Sequence, residues 1–110
     1  VSLILVLGHD ECGAIRATID ATEGKTPATG EFIQELVSKI QPTVLAANKV
    51  GRYGIDEVTE LHVEDTINEM VTRSKVIFDA IEAGNLAVVG ANYKLLEGDI
   101  HPIVMLGDVK

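Results

Sequence analysis

A histidine and the only cysteine of the chain stand three residues apart in GHDECGA, residues 8–14. Imidazole nitrogen and thiolate sulfur are both zinc donors, at about 2.0–2.3 Å, and an HxxC spacing across a turn lets two side chains converge on one ion. The pair also has the makings of a nucleophile with its base, although no third orienting group accompanies it. A purely structural role is the third reading, with Cys12 as a small buried hydrophobe and His9 as a turn residue. Two donors fall short of the three or four that a protein zinc site uses. His9 and Cys12 therefore need partners or another explanation.

The elements around the pair place it where ligands gather. SLILVL, residues 2–7, is a continuous apolar run closed by Gly8, which reads as a strand buried on both faces, as in parallel sheets covered by helices. GAIRATIDAT, residues 13–22, reads as a short helix following directly. His9 and Cys12 thus sit past the C-terminal end of a strand and at the start of a helix. Open α/β sheets bind ligands at that end, and the exposed N–H groups of a helix start favour a thiolate.

Farther along, GKTPATG at 24–30 reads as a loop. EFIQELVSKIQ at 31–41 spaces Phe32, Ile33, Leu36, Val37 and Ile40 as an amphipathic helix, which Pro42 breaks or restarts. GRYG at 51–54 is a second loop. A longer helix follows from Ile55 to Val71, with Val58, Leu61, Ile67, Met70 and Val71 as core positions. Ser74 reads as the N-cap of a helix over 75–83, with Val76, Ile77, Ala80 and Ile81 inward and Gly84 at its C-terminus. LAVVG at 86–90 is a second strand. Tyr93–Leu96 continues extended, residues 97–99 turn, and Ile100–Leu106 returns as a third strand. The predicted class is α/β: a short, mostly parallel sheet flanked by helices, with a C-terminal antiparallel hairpin.

Composition narrows the function classes. The 110 residues carry 17 acidic against 9 basic side chains, a formal charge of −8, which argues against a nucleic-acid backbone or an anionic membrane as partner. No apolar run approaches a membrane span. A single cysteine fits a reducing compartment, so a cytoplasmic location is expected. With 4% aromatic residues and no Trp, the core must be built from aliphatic side chains. EGKT at 23–26 lacks the GxxxxGK spacing of a phosphate loop, which removes nucleotide binding.

GHDECGA resembles the GHxxCGA signature of the β-class carbonic anhydrases, placed after an apolar strand as in that family. HVEDTINEMVTRSKVIFDAIEAGNLAVVGANYKLLEGDIHPI, residues 62–103, is similar to the family's late helices, its G-x-L-x-I-V-G-x-x-Y strand and its closing hairpin. The match is good over residues 1–23 and 55–106 and weak over 24–54. The resemblance implies a zinc enzyme for the reversible hydration of CO2 to bicarbonate, assembled as a homodimer or higher homo-oligomer. On it, His9 and Cys12 are two of three protein zinc ligands, and Gly13 and Ala14 shape the substrate pocket. The family's other half-site is an upstream CxDxR motif, which supplies the remaining cysteine and an Asp–Arg dyad. This sequence contains neither a second cysteine nor that motif. Residues 1–110 are therefore expected to form a single domain that is the C-terminal part of a carbonic anhydrase domain. Alone, that part should bind zinc weakly and hydrate CO2 negligibly. The alternative is a truncated, non-catalytic metal-binding or assembly module.

Other polar residues read as structural. His62, among Glu60, Glu64 and Asp65, is a solvated, salt-linked histidine, and His101 before Pro102 is a strand residue. Glu57, Glu60, Glu64, Asp65 and Glu69 make a solvated helix face, and Tyr53 is a loop anchor.

Overall fold

The computed structural model describes residues 2–10, 12–24 and 31–107. Its elements follow the predicted order: β1 (Ser2–His9), α1 (Gly13–Thr22), α2 (Glu31–Lys49), α3 (Ile55–Arg73), α4 (Lys75–Glu82), β2 (Leu86–Lys94) and β3 (Asp99–Leu106). Most of the loop predicted over 24–30 lies outside the described residues. Packing divides the chain into two compact units. One holds Val1–His9 with Val63–Lys110; the other is Asp10–His62, so α3 contributes to both.

The first unit is built on a three-stranded sheet of order β1-β2-β3. β1 and β2 run parallel, Ser2 opposite Leu86 through His9 opposite Tyr93, and β2 and β3 form the antiparallel hairpin. Side chains alternate across a pleated strand, and here one face is packed. Leu86 and Val88 of β2 join Val63 and Ile67 of α3 in a core, with Ile4, Val6, Ile77, Ala80, Val104 and Leu106 against it. The other face of β1 departs from the sequence reading. Leu3, Leu5 and Leu7 are 57%, 49% and 49% exposed, so the run is not buried on both sides. β1 is an edge strand, and only Ile4 and Val6 of its apolar run meet this core.

Local signals in α4 act as the sequence implies. Ser74 is the N-cap, its Oγ accepting from the N–H of Ile77 at 3.2 Å. At the other end Gly84, at φ +78°, and Asn85 donate to the carbonyls of Ile81 and Ala80. That pair of bonds, 5→2 and 6→1, is a Schellman closure, and it aims the chain into β2. Val76 is solvent-exposed rather than inward, because it lies beside the stripe formed by Ile77, Ala80 and Ile81.

The second unit is helical. Ile15 and Ile19 of α1 pack with Ile40, Val44 and Ala47 of α2 and Val58 of α3. Thr18 is buried among them and donates its hydroxyl proton to the Ala14 carbonyl at 2.8 Å, which satisfies it inside the core. α2 corrects two expectations. It runs unbroken through Pro42, and Phe32, Ile33 and Leu36 are exposed. The stripe that counts is Val37, Ile40, Val44 and Ala47, which continues at 3- and 4-residue spacing across the proline. Burial on both sides of Pro42 offsets the missing N–H and the crowding of the preceding turn. Pro42→Ala is therefore expected to stabilise the protein by about 1–3 kcal/mol in denaturant unfolding, the interior helix penalty less the lost unfolded-state rigidity.

Candidate metal centre

Parallel pairing with β2 carries β1 to its last residue, His9, whose side chain is exposed. Asp10 turns the chain, and Cys12 is the N-cap of α1, with extended backbone at φ −66° and ψ 118°. Its carbonyl accepts from the N–H of Arg16 at 2.9 Å, starting the helix. Its side chain makes no capping hydrogen bond. N-caps are normally Ser, Asn, Asp or Thr, whose oxygen closes the first turn, and a thiol is a poor substitute. Local helix chemistry therefore gives no reason for sulfur at this position. The thiol is free and half-buried beside the Ile15 and Ile19 core.

Gly13 opens α1 exposed, and Ala14 is half-buried behind it. A Cβ placed on Gly13 would meet no atom within 4 Å, so the backbone there faces open space. Nearby in the helical unit, Asp10, Arg16, Gly54, Ile55, Asp56 and Glu57 line an open cavity of about 410 Å³. Its lining combines three carboxylates with one guanidinium.

The remaining polar residues fall largely where the sequence puts them. Glu60 pairs with Arg52 at 3.3 Å, and Glu69 pairs with Arg73 at 3.2 Å, so the acidic face of α3 is partly neutralised by its own surroundings. Tyr53 is exposed in its loop. His62 lies within α3 and His101 within β3. Sequence reading passed over two features of the hairpin. Asn92 is fully buried with neither side-chain atom hydrogen-bonded, and Glu97, Asp99 and His101 cluster at the β2–β3 turn. The alternation of donors in EGDIH was the signal for the second; nothing in the sequence distinguished Asn92.

The carbonic anhydrase family model matches residues 1–100. The chain belongs to that family. A carbonic anhydrase of Mycolicibacterium smegmatis is 38% identical over 110 residues, which is 99% of this chain and 52% of that protein. Carbonic anhydrase 2 of Mycobacterium tuberculosis is 38% identical over 99 residues, 89% of this chain and 47% of that relative. The solved β-carbonic anhydrase CcaA superposes with a TM-score of 0.72 at 16% identity, covering all of this chain and 52% of that one. The fold is thus the β-carbonic-anhydrase fold over about half of its extent. The chain likewise spans about half the length of the curated carbonic anhydrases it matches. Among the described residues, no helix is long and apolar enough to cross a membrane.

Proposed function

We propose that this chain carries the histidine-and-cysteine half of the zinc site of a β-class carbonic anhydrase, which interconverts CO2 and bicarbonate. The observation that carries the reading is Cys12, a thiol at a helix N-cap that does no capping, three residues from a histidine that ends a parallel strand. Imidazole and thiolate are a donor set that suits zinc, and zinc supplies a Lewis acid that makes hydroxide available near neutral pH. His9 and Cys12 would hold the ion through one nitrogen and one sulfur. Gly13 leaves the approach to the helix start open for a small substrate, and Ala14 forms the wall behind it.

Residues 1–110 are on this reading the C-terminal part of one carbonic anhydrase domain, acting in the cytoplasm within a homodimer or larger homo-oligomer. The exposed Leu3, Leu5 and Leu7 of β1 support a covered state for that face. Two donors without a second cysteine or a CxDxR motif favour an inactive isolated chain, and they are also what a non-catalytic assembly module would show. Stopped-flow CO2 hydration by the full-length gene product, with and without Cys12, separates the two. Hydration that depends on Cys12 supports the enzyme; its absence from the full-length protein supports the module.

A further inference from the structure

The first two turns of α2 leave large apolar side chains in solvent. Phe32 is 84% exposed, and Ile33 and Leu36 are 40% and 44% exposed. By helical spacing they prolong the stripe whose Ile40, Val44 and Ala47 pack with Ile15 and Ile19 of α1 and Val58 of α3. Length explains why the cover stops. At 1.5 Å rise per residue, the ten residues of α1 run about 15 Å and the nineteen of α2 about 28 Å. α1 is too short to cover all of α2.

The charges beside this patch are a separate observation. Glu35 and Lys39 form an exposed ion pair along the helix at 3.5 Å, and they stand two residues either side of Val37. Helical spacing puts both on the flank of the patch away from Ile33. A helix that crosses a copy of itself about a two-fold axis near Leu36 and Val37 therefore sets Glu35 against the partner's Lys39. Its own Lys39 then faces the partner's Glu35. Parallel pairing would set like charge on like. Glu35 and Lys39 cancel on a chain whose formal charge is −8, so two copies can meet here with little net repulsion.

We propose that this face of α2 is a contact between two copies of this chain, paired antiparallel about a two-fold axis. Leu36 meets its counterpart near the axis. Phe32, one turn out, lies on the aliphatic stem of the partner's Lys39, and Glu35 pairs with the ammonium of the same side chain. Two-fold symmetry makes each of these contacts twice. Two helical turns are a smaller surface than a standard interface, so this pairing is weak and reversible by itself. It gives a surface to the homo-oligomer proposed above, and it rests on that reading only in requiring more than one copy.

Sedimentation equilibrium of the 110-residue chain over a range of concentrations tests this. A monomer–dimer equilibrium is expected, weakened at least tenfold by Leu36→Glu. Glu35→Lys and Lys39→Glu should each weaken it severalfold. The double variant should restore it, because the two charges then exchange places across the axis. Phe78→Glu alters an exposed apolar residue of α4 outside the patch and should leave it unchanged. In a Cys12→Ser background, Leu36→Cys should oxidise to a covalent dimer and Ser38→Cys, on the far side of the helix, should not. The substituted side chains are exposed, so unfolding midpoints should stay near the parent's, which separates lost association from lost fold. A dimer indifferent to Leu36→Glu would overturn the proposal while leaving the homo-oligomer to another surface. A chain monomeric throughout, or a double charge variant no better than the single ones, would overturn it as well.

Discussion

Replacing Cys12 with serine in the full-length gene product is expected to lower CO2 hydration by more than about a hundredfold while leaving the fold in place. Disturbing only the outer hydrogen-bond partner of a zinc ligand costs about 10- to 100-fold, and removing the ligand itself should cost more. Serine is close in size to cysteine and is a better N-cap, so α1 should start as before. Cys12 borders the Ile15 and Ile19 core without being enclosed by it, which limits the packing loss. The loss therefore belongs to chemistry and not to folding, and three readouts separate the two. Circular dichroism and the unfolding midpoint should stay near the parent's. Cobalt substitution should lose its thiolate band. His9→Ala should reproduce the defect through the other donor. Parent-like hydration by Cys12→Ser would remove Cys12 from the metal site.

The largest structural effect is expected at Gly90, in the middle of β2. A Cβ at this position would lie 2.6 Å from Ile67 Cδ1, 2.7 Å from Val63 Cγ1 and 3.0 Å from Val104 Cγ1. Ile67 can swing its terminal methyl away. Val63 cannot, because a β-branched side chain in a helix has essentially one χ1 rotamer. The strand must then move off α3, or α3 off the strand. Overpacking a core by a methylene or two costs about 1–3 kcal/mol, so Gly90→Ala falls in that range and Gly90→Val at or above about 3 kcal/mol. Against a total stability of about 5–15 kcal/mol, the valine variant loses a large fraction of its margin, and its melting temperature should fall by more than about 10 °C. Gly13→Ala is the matched control, since no atom lies within 4 Å of its new methyl. Equal melting temperatures for Gly90→Val and Gly13→Ala would show that α3 and β2 do not pack as described.

Elements whose signals are local were legible in the sequence. Ser74 and Gly84 mark the two ends of α4 through backbone hydrogen bonds that involve only neighbouring residues. The hairpin and the parallel pairing of β1 with β2 follow from short apolar runs and the helical residues between the first two strands. Burial was less legible, because it depends on what lies opposite. SLILVL reads as doubly buried from its letters, yet only one face of β1 is packed. Phe32 was placed on the apolar face by its helical spacing and Val76 was read as inward, and both are exposed. Pro42 was read as a break because local geometry disfavours it, and the tertiary stripe of α2 overrode that cost.

The proposed zinc ligands were legible in a different way. The letters GHDECGA supplied the family, and the structure supplied the position of each residue: His9 at a strand end and Cys12 at a helix start. Asn92 is the converse case. A carboxamide in a strand carries no message in sequence, and only burial without a partner makes it informative.

The central claim is that this chain supplies two donors of a zinc site and lacks the groups needed to complete it. Zinc content alone does not test that claim, since it does not report catalysis. The direct measurement is stopped-flow CO2 hydration by the purified 110-residue chain in saturating zinc. The predicted result is the buffer rate, identical for the parent and Cys12→Ser. Substantial hydration that disappears in Cys12→Ser would contradict the account, because it would show a complete catalytic site within these residues.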